Sequence, residues 1–216
     1  MISFKGIYLV TSADTLEEER FYSILEKALK GGISLVQLRE KNASTREFLR
    51  RGRKIKKLLD SRKIPLIIND RVDIALALEA SGVHLGQSDM PYREARKILG
   101  PGAIIGVSVE SREQLEEAAT CPDISYLGIS AVFPSPTKID TPHIWGFAGL
   151  REARKRTDLP LVAIGGISEQ NASEVFAAGA DMIALVSAIM ESPDPEKTVK
   201  NLKNLHNRIS GKGEIS

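Results

Sequence analysis

Cysteine is nearly absent from this chain: Cys121 stands alone, so no intrachain disulfide can form and no cysteine cluster can hold a metal. A reducing compartment is expected, with Cys121 a small loop or core residue. Nor is there a run of about 18 apolar residues to make a helical membrane span. The first residues lack the charged segment, apolar stretch and small-residue cleavage site of a secretory signal, so cytoplasmic residence is the expectation. Charge of one sign is also missing. Thirty Lys and Arg against 28 Asp and Glu leave +2, too little to imply nucleic acid, and the basic run at 50–57 alternates with apolar residues as a solvated helix face does. Any anionic ligand must therefore be recognised locally.

What is present is an ordinary core-forming composition, 42% hydrophobic and 27% charged, arranged in a regular rhythm. Apolar runs that read as buried strands recur at 6–11, 34–38, 65–68, 83–85, 103–107, 124–129, 159–164 and 181–186. Segments with helical spacing lie between them. Ser44 with Glu47 three residues later marks one helix start, Ser111 and Ser168 read as further caps, Pro91 sits at an early helical position, and a last helix covers 195–209. Strands alternating with helices predict a parallel sheet. Eight such units at about 27 residues each make a closed (β/α)8 barrel more economical than a doubly wound sheet. A single α/β barrel domain is expected over 1–209, with 210–216 a polar tail. One stretch breaks the rhythm. Residues 130–145, with three prolines, are too long for a routine connection, as functional loops often are.

In such a barrel the segments following the strands share one rim. Here that rim collects Gln37, Arg39, Glu40 and Lys41, then Asn69, Asp70 and Arg71, then Gln87, Ser88 and Asp89, then Ser108. The long loop adds Ser130, Ser135, Thr137, Lys138 and Asp140; Gly165-Gly166 and Val186-Ser187 close the series. Each has a plainer reading: Arg39 and Lys41 as surface charges, Asn69, Asp70 or Asp89 as helix caps, Arg71 as an ion-pair partner, and His84 as a packed, hydrogen-bonded residue. Taken together they suit more specific chemistry. Asp70 and Asp89, from neighbouring strands in a chain poor in histidine and cysteine, suit a hard, oxygen-binding cation such as Mg²⁺ that also coordinates phosphate. Arg39, Lys41 and Lys138 could surround a diphosphate, while the glycines and Ser187 could hold a separate monophosphate through backbone amides.

These residues, in this order, resemble the thiamine-phosphate synthase family. The resemblance rests on Gln37-Leu38-Arg39-Glu40-Lys41, Asn69-Asp70-Arg71, Gly86-Gln87-Ser88-Asp89, Gly106-Val107-Ser108, Pro134-Ser135-Pro136-Thr137-Lys138-Ile139-Asp140, Ala163-Ile164-Gly165-Gly166-Ile167 and Val186-Ser187. It implies a TIM barrel that joins hydroxymethylpyrimidine diphosphate to thiazole phosphate with Mg²⁺, releasing diphosphate. It further implies that Gln37, Leu38, Arg39, Glu40, Lys41, Asn69, Ser108 and Lys138 contact the pyrimidine diphosphate, with Arg39, Lys41, Lys138 and Ser108 acting in catalysis. Asp70 and Asp89 would bind Mg²⁺, and Ser135, Pro136, Thr137, Gly166, Val186 and Ser187 would meet the thiazole phosphate. The family commonly has threonine where Ser135 stands, and serine keeps the hydroxyl. Small-molecule substrates are the expected partners, without nucleic acid or membrane, and a homo-oligomer is allowed. A thiazole tautomerase of the same fold, a non-catalytic sensor and a phosphosugar isomerase are weaker readings, because none of them uses the Asp70 and Asp89 pair.

Overall fold

The computed structural model describes residues 4–12, 16–134 and 143–211. Eight parallel strands close into a barrel in sequence order, β1 (Gly6–Val10), β2 (Leu35–Leu38), β3 (Leu66–Asn69), β4 (Gly82–Leu85), β5 (Ile104–Val109), β6 (Tyr126–Ser130), β7 (Leu161–Ile164) and β8 (Met182–Leu185). Pairing of Gly6 with Met182 and of Leu9 with Leu185 joins the last strand to the first. Around it lie α1 (Glu18–Gly31), α2 (Thr45–Asp60), α3 (Val72–Ala77), α4 (Tyr92–Leu99), α5 (Arg112–Ala118), α6 (Gly146–Arg156), α7 (Ala172–Ala177), α8 (Ser187–Met190) and α9 (Pro195–Ser210). The (β/α)8 barrel expected from the rhythm is the fold.

Side chains alternate across each strand, and the alternation divides the core in two. Outward residues such as Ile7, Leu9, Val36, Leu38, Ile68 and Leu127 pack under the helices. Inward residues form a second cluster of Tyr8, Val10, Leu35, Ile67, Ile104, Tyr126, Val162, Met182 and Ala184. Both faces of most strands are buried, which is why the strands read as continuous apolar runs. Toward the C-terminal ends of β2 to β5 the inward positions turn polar: Gln37, Asn69, His84 and Ser108 all line the cavity there. The mouth is polar on that side and stays apolar at Val10, Ile164 and Ala184.

Two glycines make room for large inward side chains. A Cβ on Gly106 would overlap the Tyr126 ring, and one on Gly128 would lie 2.9 Å from His84 Cε1. Ser44 and Ser111 cap their helices as predicted, accepting from the amides of Glu47 and Gln114 at 3.3 Å. Ser168 does not cap α7. Its hydroxyl accepts from the Gln170 amide at 3.3 Å, while Asn171 Oδ1 accepts from the Ser168 amide at 2.9 Å, so a turn precedes the helix and delays its start to Ala172. The short α8 inserted before α9 makes Ser187 the first residue of its own helix. Residues 212–216 of the expected tail lie outside the described residues.

Candidate active site

A cavity of about 620 Å³ opens at the C-terminal ends of the strands. Every strand contributes to its wall, from Tyr8 and Val10 on β1 to Ala184 on β8. Of the residues singled out from sequence, Gln37, Arg39, Lys41, Asn69, Asp70, Asp89, Ser108, Gly166, Val186 and Ser187 line this one space. Leu38 and Glu40 do not. Strand alternation turns Leu38 outward into the helix-facing core, and Glu40 is engaged by Arg51 on α2, with Arg51 Nη1 donating to both carboxylate oxygens at 3.0 and 3.1 Å. Of that segment, Gln37, Arg39 and Lys41 line the cavity. Ser135, Pro136, Thr137, Lys138 and Asp140 lie outside the described residues.

At the end of β3, Asp70 takes up a left-handed backbone conformation, φ 62°, and its amide donates to the His84 carbonyl at 2.9 Å. Asp tolerates this region better than most side chains. Asp70 and Asp89 lie close enough for each carboxyl to feel the other. Burial pushes the Asp70 carboxyl up to about 6, and the adjacent Asp89 carboxylate adds to the shift against the opposing pull of Lys41 and Arg39. Asp89 Oδ2 also accepts from the Gly86 amide at 2.7 Å, which folds the β4–α4 loop back over its own carboxylate. Neither aspartate is a helix cap: the N-cap residues of α3 and α4 are Arg71 and Pro91, neither with a side-chain cap bond. Arg71 instead pairs with Asp73 at 2.6 Å, the structural role open to it from sequence.

Two neighbouring carboxyls in a half-buried site suit a divalent cation, which would offset both charges. Among the described residues no group of three or more His, Cys, Asp and Glu could hold a metal. The pair thus supplies only part of a coordination shell, as expected for Mg²⁺ held jointly by carboxylates, water and phosphate oxygens.

Sequence reasoning missed the polar chain beneath the cavity. Gln37 Nε2 donates to Tyr8 Oη at 2.8 Å, Tyr8 Oη and Tyr126 Oη lie 2.9 Å apart, Tyr126 Oη is 2.9 Å from His84 Nδ1, and His84 Nε2 is 2.9 Å from Ser108 Oγ. Burial raises both tyrosine hydroxyls well above their usual range, so they stay protonated. With the Gln37 amide as the first donor, one arrangement lets each hydroxyl donate once and accept once. Tyr8 donates to Tyr126, Tyr126 to His84 Nδ1, and His84 Nε2–H to Ser108, whose own proton then faces the cavity. The tyrosines looked like core aromatics because they are; only the barrel brings their hydroxyls within reach of His84.

On the far side of the mouth, Gly165 and Gly166 have φ of 101° and 63°. A Cβ on Gly166 would lie 2.7 Å from the Pro134 carbonyl oxygen, and the Phe133 amide donates to the Gly165 carbonyl at 3.1 Å. These glycines admit the start of the long β6–α6 connection as closely as they would admit a ligand. Ser187 opens α8, whose first amides have no intrahelical acceptor and can serve an anion. In a closed eight-stranded barrel β3 and β4 stand opposite β7 and β8, so the carboxylate pair faces the glycine and hydroxyl groups across the cavity, while Arg39 and Lys41 follow β2 beside it.

A family model described as thiamine monophosphate synthase matches residues 7–189. A thiamine-phosphate synthase of Vibrio parahaemolyticus is 47% identical over 199 residues, covering 92% of this chain and 97% of that protein. Another, of Leptospira biflexa, is 47% identical over 203 residues, covering 93% and 97%. Among solved structures, a thiamine phosphate pyrophosphorylase from Pyrococcus furiosus superposes with a TM-score of 0.86 at 37% identity, covering 96% of this chain and 98% of that one.

Proposed function

Because the chain belongs to the thiamine-phosphate synthase family, and is therefore a transferase of thiamine biosynthesis acting on small molecules, we propose how its cavity divides that reaction between two substrates. The pyrimidine diphosphate lies on the side of β2 to β5, its diphosphate against Arg39 and Lys41 and its ring over Gln37, Asn69 and Ser108. The thiazole phosphate lies opposite, its phosphate at Gly166, Val186 and Ser187, joined by Ser135, Pro136 and Thr137. The observation that carries this reading is a carboxylate pair, with two cations beside it, across one cavity from a separate anion cradle.

The reaction is a substitution at the pyrimidine methylene. The bond between that carbon and the diphosphate oxygen breaks first, its electron pair leaving with diphosphate; the thiazole nitrogen then donates its lone pair to the resulting cation. No proton is transferred at the reacting carbon, so no general base is required. Arg39 and Lys41, with Lys138, meet the charge that grows on the leaving group, which is where stabilisation lowers the barrier. Ser108, oriented by His84, and Gln37, tied to Tyr8, hold the ring so that its methylene faces the thiazole side. Asp70 and Asp89 would hold Mg²⁺, which when bound supplies Lewis-acid charge to the diphosphate. The apolar wall of Val162, Ile164 and Ala184 keeps water from the reacting carbon.

The test is incubation with both substrates and Mg²⁺, with measurement of thiamine phosphate and diphosphate. Equal amounts of both products are expected. Absence of both, with isomerisation of the thiazole instead, overturns the reading in favour of a tautomerase.

A further inference from the structure

We propose that Arg51 is a positioning residue for the diphosphate-binding cations, acting through Glu40; this rests on the assignment of Arg39 and Lys41 to the diphosphate. Residues 39–41 follow β2, and Arg39 and Lys41 line the cavity while Glu40 between them does not. The Glu40 side chain is only 2% exposed. Arg51 meets both of its oxygens from α2 and at the same time donates through Nε to Glu47 at 2.9 Å. Glu47 is itself fixed, since its amide is capped by Ser44 and its carboxylate is gripped by Arg50, which also reaches Glu18 on α1. The other side of the loop is held by the Arg39 amide, which donates to the buried Thr11 hydroxyl at 3.2 Å.

A carboxylate this deeply buried must keep a cationic partner. Its sequence neighbours are the two cations the substrate needs. With Arg51 in place Glu40 is neutralised from behind and Arg39 and Lys41 keep their charge for the cavity; without it, Glu40 draws them away. Arg51 does not line the cavity, so its effect on the substrate is exerted through this exchange of partners.

The experiment compares the intact protein with Arg51→Met, Arg51→Met/Glu40→Gln and Arg39→Gln, measuring KM for each substrate, kcat and thermal midpoint. Arg51→Met is expected to raise KM for the pyrimidine diphosphate by about tenfold or more, and to leave KM for thiazole phosphate within about twofold. Adding Glu40→Gln removes the charge that misdirects the cations, and KM returns to within about threefold of the parent. A merely structural Arg51 would instead shift both KM values together, and the second substitution would not restore them; that result, or an unchanged pyrimidine KM, overturns the proposal. Arg39→Gln separates the two levels. If it raises the pyrimidine KM while Arg51→Met does not, positioning alone is wrong; if it leaves that KM unchanged, the diphosphate assignment is wrong and the proposal falls with it. Should Arg51→Met fail to fold, Arg51→Gln removes the charge while keeping donors for Glu40, and an unchanged pyrimidine KM in that variant overturns the proposal equally.

Discussion

Asp70 concentrates the conflict between folding and function into one side chain. An unfolded aspartate ionises near 3.8, whereas the native group, buried beside Asp89, does so at about 6. The folded state therefore holds this proton more tightly than the unfolded chain. Without metal, the penalty is fully present above about pH 6, diminishes as pH falls, and is gone below the unfolded value. Asp70→Asn keeps a side chain that tolerates positive φ and can still hydrogen-bond Asp89. It is expected to stabilise the metal-free protein at pH 7 by on the order of 1 kcal/mol, allowing for the solvent screening of a half-exposed group, and to make little difference near pH 4. Urea denaturation at the two pH values checks the sign, and destabilisation at pH 7 would contradict it. A second residue-scale expectation concerns Gly106, where any Cβ meets the Tyr126 ring. Gly106→Ala should cost about 1–3 kcal/mol and lower turnover as well, since displacing Tyr126 breaks the chain that orients Ser108. Parent-like turnover in a folded variant would show that the chain does not serve the site.

Among the elements, those that end in a functional group were easier to read from sequence than those that support one. The strand at 65–68 was visible as an apolar run, and the polar Asn69 and Asp70 after it announced the rim. What was hidden is which face each strand residue occupies. In a run buried on both faces, Gln37 and Leu38 carry no periodicity to separate them, and only barrel closure sends one into the cavity and the other outward. The tyrosine and histidine chain was illegible for the same reason, since Tyr8 and Tyr126 are 118 residues apart and meet only across the barrel interior. Gly165-Gly166 read from sequence as part of a phosphate cradle, but the backbone closest to them is that of Ala131, Phe133 and Pro134. Gly166→Ala therefore threatens the start of the β6–α6 connection as well as an anion. We expect Lys138→Ala, farther along that connection, to lower kcat about a hundredfold, near 3 kcal/mol, by removing one cation from the leaving group. A circular dichroism melt unchanged from the parent would confirm that chemistry and not folding was lost, while unchanged kcat would remove Lys138 from the catalytic set.

For the whole molecule, the closed barrel holds opposite walls on a shared rigid frame, and the proposed division gives each substrate one of them. Strand pairing runs unbroken from β1 round to β8 and back, so groups on β4 and β8 are fixed relative to each other without touching. The rhythm of the sequence was enough to predict this closure, because eight βα units leave a parallel sheet no exposed edge only if the last strand pairs with the first. Separation on opposite walls has a thermodynamic consequence: a substitution on one wall should alter binding there and add little coupling to the other. Asp89, in the loop after β4, is the sharpest place to test it. Asp89→Asn is expected to weaken Mg²⁺-dependent turnover by about tenfold to a hundredfold, the range for losing one charged ligand, because a single carboxylate is left for the cation. Calorimetric titration with thiazole phosphate alone should give a Kd within about threefold of the parent, since Gly166, Val186 and Ser187 lie across the cavity. If thiazole phosphate binding falls in step with Mg²⁺ dependence, the two walls form one coupled site and the division of the cavity into two substrate halves is wrong.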